Sequence, residues 1–263
     1  MVELKNAVVL VTGASSGIGA ACARAFAREG ARVALLARRR ERLEALANEI
    51  AAFGGAALAL PADVADAAMV RDAASQTLAR WGRIDVLINN AGYGLLGSVE
   101  VTTPEEFQRI FEVNMMGAVL ATQAVLPVMK AARRGHIINV SSMLGRRGVP
   151  QRAAYAVTKF GLVAFSEALR GEVREHGIHV TVVYPGFTTT EFQDAEIKKE
   201  VRLTPSGPVQ SAEQVARAIL RAVRRPRPEV YPYWPARFAA ILSVAAPRLV
   251  DRVIARRLRR ARA

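Results

Sequence analysis

The chain has 263 residues, 51% hydrophobic and 23% charged, a balance that excludes a disordered protein and suffices for one large α/β core or two small ones. Its formal charge of +14 is unevenly placed: from Arg224 to Ala263 eleven arginines face only Glu229 and Asp251, a balance of +9, which leaves +5 for the first 223 residues. The basicity belongs to a tail and says little about the fold.

In chain order, "AVVLV" (7–11), "RVALLA" (32–37), "AALAL" (56–60), "IDVLIN" (84–89), "HIINVS" (136–141) and "HVTVVY" (179–184) read as short strands, apolar on both faces. Helical patterns lie between and after them, at 17–29, 40–53, 66–80, 104–131, 153–175 and 211–223. This alternation predicts right-handed βαβ units: a single-domain, Rossmann-type, doubly wound parallel sheet flanked by helices on both faces. Within it, "TTPEEF" reads as a helix cap, with Glu105 and Glu106 as first-turn charge rather than a catalytic carboxylate pair. Residues 1–225 are assigned to the nucleotide-binding domain and 226–263 to a basic, partly apolar extension. The irregular stretch at about 187–210 is assigned to a substrate lid.

The first strand runs into "TGASSGIGAA", with Gly13, Gly17 and Gly19. Glycines let backbone approach a pyrophosphate, and the helix that follows offers its unpaired N–H groups and positive end. The second strand ends in Ala37 followed by Arg38, Arg39 and Arg40, where NAD-binding folds place an acid on the ribose 2′-hydroxyl. A guanidinium there suits a 2′-phosphate, so NADP(H) is expected ahead of NAD(H), with Arg38 the first candidate and Arg39 the second. Asp63 and Val64, after the third strand, are assigned to the adenine side.

Further along stand "NNAG" (89–92), Asn114, "NVSS" (139–142), "YAVTK" (155–159) and "PGFTTT" (185–190). Together with "TGASSGIG", in this order, they resemble the short-chain dehydrogenase/reductases, from about residue 5 to 225. The resemblance implies a catalytic set of Asn114, Ser142, Tyr155 and Lys159, the serine thirteen positions before the tyrosine. It also implies cofactor contacts from Ser15, Ser16 and Ile18 of the glycine loop, and from Asn90, Ala91 and Gly92. Tyr155, Lys159, Pro185, Gly186, Thr188 and Thr190 complete the cofactor side. Asn114 would support a proton-relaying water, and the helices at 104–131 and 153–175 would pair subunits into a homodimer, a tetramer being the further assembly. Two features depart from the family: "RPEVYPYW" (227–234) replaces the usual seventh-strand ending, where it would obstruct a tetramer, and the tail from Ala236 is not standard.

Hydride transfer to a carbonyl carbon leaves charge on oxygen, which must gain a proton. A free phenol, with a pKa of about 10, ionises too weakly at neutrality, so a nearby ammonium and the positive nicotinamide of the oxidised cofactor are expected to lower Tyr155. Ser142 would donate to the substrate oxygen. Tyr93, Met143, Leu144, Phe187 and Phe192 would make the pocket apolar, for a ketone, aldehyde or secondary alcohol. The rival is a non-catalytic NADP-binding sensor or scaffold, which predicts damage to the catalytic set. His136, His176 and His179 have no carboxylate or thiol cluster beside them, so no metal is expected. The lone Cys22 fits a reducing cytoplasm, and no signal peptide is expected at the N-terminus. The tail could meet an anionic membrane surface or a partner subunit; without aromatic interleaving or a nucleic-acid motif, nucleic acid is disfavoured.

Overall fold

The computed structural model describes residues 3–193, 196–199 and 208–262. In chain order the elements are β1 (Val8–Thr12), α1 (Gly17–Arg28), β2 (Arg32–Ala37), α2 (Arg40–Ala52), β3 (Ala56–Pro61), α3 (Ala67–Trp81), β4 (Val86–Asn89), β5 (Leu95–Leu96) and α4 (Pro104–Phe111). Then come a π-helical turn (Glu112–Met116), α5 (Gly117–Ala132), β6 (Gly135–Val140), α6 (Ala153–Val173), β7 (Ile178–Val183), β8 (Thr188–Thr189), β9 (Ile197–Lys198) and β10 (Gln210–Ser211). The chain closes with α7 (Ala212–Arg224), β11 (Glu229–Val230), α8 (Ala236–Ala245) and α9 (Pro247–Arg262).

Seven strands form one parallel sheet in the order β11-β7-β6-β4-β1-β2-β3. Every residue of β1 is buried, because helices cover both faces. On one face α1, α2 and α7 pack around Phe26, Leu43, Ile50 and Ile219; on the other α3, α5 and α6 pack around Val70, Val125, Met129 and Leu169. Full burial of each such side chain contributes about 1.5–3 kcal/mol. The strand order reverses between β1 and β4, and ligands of open α/β sheets bind at the carboxyl end of such a switch point. The glycine loop, "NNAG", "NVSS" and "PG" all follow strand carboxyl ends there.

Three local features refine the sequence reading. The capping box of Thr103 and Glu106, with Pro104 at the first helical position, starts α4 as expected. The single helix predicted over 104–131 is interrupted at residues 112–116, where the backbone widens into a π turn around Asn114. "RPEVYPYW" keeps the seventh strand in shortened form: Glu229 and Val230 pair with Val182 and Val183. Of the lid, 194–195 and 200–207 lie outside the described residues.

Among the described residues, Pro104–Ala132 is long and apolar enough to cross a membrane by length and composition. Part of it packs within the domain, Ala121, Val125 and Met129 against the sheet and Ile110 in a cluster with Leu95, Ala154 and Tyr155.

Candidate active site

The glycine loop is locked onto the segment after β4. Gly13 has φ +66, and a Cβ there would stand 2.8 Å from the Ala91 Cα. A Cβ on Gly19 would stand 2.7 Å from the Asn90 Nδ2 and collide with the Gly13 carbonyl oxygen. Asn90 Nδ2 donates to the carbonyls of Thr12 (3.1 Å) and Gly13 (3.2 Å), while the Thr12 hydroxyl accepts from the backbone N–H of Asn90 (3.0 Å) and Ala91 (3.1 Å). The start of α1 is left open: Ser16, its N-cap, makes no side-chain cap, and its first turn holds no acid. Unpaired N–H groups beside bare glycine backbone suit a diphosphate. Thr190, from the segment after β7, closes against this loop, since a Cβ on Gly17 would lie 3.1 Å from its side chain.

At the end of β2 the structure separates the two arginine candidates. Arg39 turns to the loop, donating to the hydroxyls of Ser15 (3.0 Å) and Ser16 (2.9 Å). Its other branch donates to Glu191 at 3.2 Å, and Arg42 pairs with the same carboxylate. The Arg42 hydrogen bond, with help from Arg39, holds the Glu191 carboxyl below its usual range. Arg38 bears electrostatically on Tyr93 instead. Asp63 accepts from the Ala65 N–H at 3.0 Å and pairs with Arg109 at 3.4 Å; Val64 packs on Gly117, where a Cβ would lie 2.9 Å away.

On α6, Tyr155 and Lys159 share the buried face with Leu162, Ser166 and Leu169, the one-turn spacing that puts them side by side. Lys159 Nζ stands 5.6 Å from the centre of the Tyr155 ring and donates to the Val140 carbonyl at 2.9 Å. Burial lowers the ammonium from 10.5 to about 8. Ser141 fixes the lysine's backbone by donating to its carbonyl at 3.0 Å. Ser142, after β6, accepts from the Leu144 N–H at 3.1 Å, and its hydroxyl is hydrogen-bonded to the Tyr155 phenol. The phenol is pushed up to about 12: burial dominates, and the Ser142 hydrogen bond and Arg152 guanidinium oppose it without prevailing. Here desolvation of the phenolate outweighs the charges that the protein itself places around it; the expected lowering includes the charge of a bound oxidised nicotinamide.

Asn114 is wholly buried in the π turn. Its Oδ1 accepts from the Tyr93 N–H (2.9 Å), and its Nδ2 donates to the Tyr93 carbonyl (2.9 Å) and the Thr158 hydroxyl (3.3 Å). Both amide donors are therefore spent on holding the cleft wall to α6. On the "PG" side, Pro185 accepts from the Met143 N–H (3.1 Å), Gly186 donates to Gln210 (2.8 Å), and the Thr188 hydroxyl donates to Gly186 (3.1 Å). The wall around Tyr155 is apolar: Tyr93, Leu144, Phe107 and Phe192, the last in an edge contact at 5.8 Å.

One pair at this wall escapes sequence reasoning. Arg152, three residues before the tyrosine, is ion-paired with Glu196 of the lid, whose side chain is 2% exposed. Glu196 Oε2 is buried without a hydrogen-bond partner among the described residues. Forty-four residues separate the two, and no local pattern announces the contact.

The sequence pattern of the short chain dehydrogenase family matches residues 7–201. This chain belongs to the short-chain dehydrogenase/reductases. Family members are nucleotide-binding oxidoreductases, and so is this protein. Dehydrogenase/reductase SDR family member 7B of Bos taurus is 38% identical over 271 residues, covering 98% of this chain and 83% of the relative. A short-chain dehydrogenase/reductase from Burkholderia phymatum, solved in complex with NAD, superposes with a TM-score of 0.87 at 25% identity, covering 95% of this chain and 96% of that one. A metagenomic short-chain oxidoreductase in complex with NADP superposes with a TM-score of 0.75 at 34% identity, covering 88% of this chain and 97% of that one.

Proposed function

We propose that this short-chain dehydrogenase/reductase is an NADP(H)-dependent oxidoreductase acting on the carbonyl or secondary alcohol of an apolar small molecule, with Tyr155 as general acid and base. The observation that carries it is the buried Tyr155 phenol, hydrogen-bonded to Ser142 and flanked by the Lys159 ammonium 5.6 Å from its ring. The residues of the glycine loop, "NNAG" and the segment after β7 fit a nicotinamide dinucleotide, which when bound supplies the hydride. In carbonyl reduction the Ser142 hydroxyl donates to the carbonyl oxygen and orients it. Tyr155 gives its proton to that oxygen; raised to about 12, it is a neutral acid across the physiological range. Lys159 offsets the negative charge left on the phenolate, returns a proton to it, and is itself reprotonated through a water chain supported at Asn114; it would also hold the ribose hydroxyls. Tyr93, Leu144 and Phe192 exclude bulk water.

The NADP preference is supported by Ala37 where an acid would be needed for NAD, and by the Arg39 guanidinium seated on the Ser15 and Ser16 hydroxyls. Arg38 serves as a second cation, and Asp63 and Val64 serve the adenine. The catalytic domain is assigned to 1–225, with 187–210 as its lid. The extension 226–263 is assigned to contact with an anionic membrane surface. A cytoplasmic setting is supported by the buried, unpaired thiol of Cys22. The exposed Phe111, Met116, Val157 and Phe160 on α4–α6 support a homodimer, with a tetramer as the larger assembly.

The test is NADPH oxidation against a panel of apolar ketones and aldehydes, with NADH in parallel and Tyr155→Phe as blank. Turnover with NADPH, lost in the phenylalanine variant while NADPH still binds, is expected. An active phenylalanine variant would remove the proton-transfer role, and equal rates with NADH would remove the 2′-phosphate assignment. The sensor or scaffold reading requires no turnover across the panel.

A further inference from the structure

Helix α8 is apolar along most of its length, yet its large side chains are not the ones it buries. The side chains it buries are small, Ala240 and Ser243. Its large apolar side chains point outward: Phe238 is 60% exposed, Ile241 54% and Val244 78%. Trp234, just before the helix, is 68% exposed and meets Phe238 edge-on at 5.5 Å. A helix folded only for burial within its own domain places these residues the other way round. An exposed cluster of this kind marks a contact surface.

What covers it is indicated by the charge beside it. Arg248, Arg252 and Arg256 are exposed on α9, which packs on α8. They belong to the segment where eleven arginines meet two carboxylates. A second copy of this chain would bring a balance of +9 against +9. Nucleic acid would leave Ile241 and Val244 in water. An anionic lipid bilayer satisfies both halves, phosphate groups for the arginines and acyl chains for the apolar residues.

The surface is also joined to the candidate active site. The loop that begins at Ser142 reaches the extension five residues later, where Arg147 pairs with Asp251 of α9. Arg146 pairs with Glu229 of β11 and stands 4.6 Å from the centre of the Tyr184 ring, which stacks on Tyr231 at 4.8 Å. Met143 packs in the same cluster. Whatever holds α8 and α9 therefore holds the far end of the loop 142–147, the substrate loop that carries Ser142.

We propose that Trp234, the outward face of α8 and the arginines of α9 form a docking surface for an anionic bilayer, and that docking sets the substrate loop at the lipid surface, where an apolar carbonyl compound is drawn from the membrane. The docking half specifies the membrane contact assigned above to 226–263; the delivery half also rests on the proposed carbonyl reduction.

The full chain is to be floated with vesicles of phosphatidylcholine alone and with an equal part of phosphatidylglycerol. Flotation with the anionic vesicles only, falling as salt rises, is expected. Each arginine near such a surface contributes a factor of roughly five, so Arg248→Gln/Arg252→Gln/Arg256→Gln should weaken binding about a hundredfold. Phe238→Ser/Ile241→Ser/Val244→Ser should abolish it while an unchanged thermal melt shows the fold intact. In a Trp81→Phe background, brominated acyl chains should quench Trp234. No flotation with anionic vesicles, flotation unaffected by both triple variants, or a lipid-free oligomer that the serine variant dissolves to monomers would each overturn docking. For delivery, vesicles should raise NADPH-linked reduction of a long-chain methyl ketone by the wild type and not by the serine variant; an equal rise in both would overturn it. If no ketone is reduced at all, the proposed reaction and delivery fail together, while flotation still decides docking.

Discussion

Lys159 Nζ lies 5.6 Å from the centre of the Tyr155 ring and spends a hydrogen bond on the Val140 carbonyl, at 2.9 Å. The ammonium is thus held by the sheet rather than by the phenol. Its position is fixed by the backbone of β6, and its own charge is sensitive to pH.

That sensitivity sets a pH profile. The Lys159 ammonium, lowered to about 8 by burial, is charged below that value and neutral above it, whereas the Tyr155 phenol keeps its proton up to about 12. For carbonyl reduction, kcat/KM should be flat through neutrality and fall as pH rises through about 8, well below the phenol's own limit. A limb that appears only near the tyrosine's value would assign it to the phenol. Steady-state rates across the alkaline range, at saturating NADPH, decide it.

Ser142→Ala should lower kcat by roughly 10²–10³-fold through the loss of one donor to the carbonyl oxygen, with little change in NADPH affinity. Stopped-flow hydride-transfer rates beside fluorescence titration of the cofactor measure the two separately.

Arg39 and Glu191 make opposite predictions for cofactor affinity. Their 3.2 Å pair is about half exposed, so it contributes at most ~1 kcal/mol. Glu191→Gln frees the guanidinium and should tighten NADPH by up to about fivefold. Arg39→Ala removes a charge-assisted contact of about 1.5–3 kcal/mol and should weaken NADPH by about ten- to a hundredfold, leaving NADH nearly unchanged. Parallel titrations with both nucleotides test the pair.

His136 predicts acid lability. Burial, with His179 beside it, lowers the imidazole from 6.5 to about 3. Between these values the unfolded chain takes up a proton that the folded protein refuses. Stability is therefore complete above 6.5 and falls as pH drops toward about 3, by up to ~1.4 kcal/mol per pH unit. His136→Gln, which does not titrate, should lose less melting temperature over this window than the wild type.

Phe160, 44% exposed, and Val157, 53% exposed, lie on the solvent face of α6. If this face pairs subunits, Val157→Glu/Phe160→Glu should turn a dimer into a monomer in sedimentation velocity, each side chain forfeiting about 1.5–3 kcal/mol of burial.

The legible parts of this molecule were those set by neighbours in sequence. Six of the seven strands of the main sheet could be read because parallel strands covered on both faces are apolar along their length. The Tyr155–Lys159 pair and the glycine loop are local patterns, so their elements were readable within one or two residues. What escaped depends on distant chain. Arg39 rather than Arg38 turns to Ser15 and Ser16 because those hydroxyls, 24 and 23 residues earlier, lie on that side of the loop. The π turn at Asn114 forms where its amide must reach both Tyr93 and Thr158, partners 21 and 44 residues away.

By itself, then, the amino-acid sequence determined the order of strands and helices, the cofactor loop and the residue types available for proton transfer, since periodicity and spacing are properties of one stretch of chain. Only the tertiary structure decided how acidic those groups are, which arginine meets the phosphate loop, and that α8 turns its large apolar side chains outward. Desolvation, charge neighbours and exposure arise only when segments far apart are packed together.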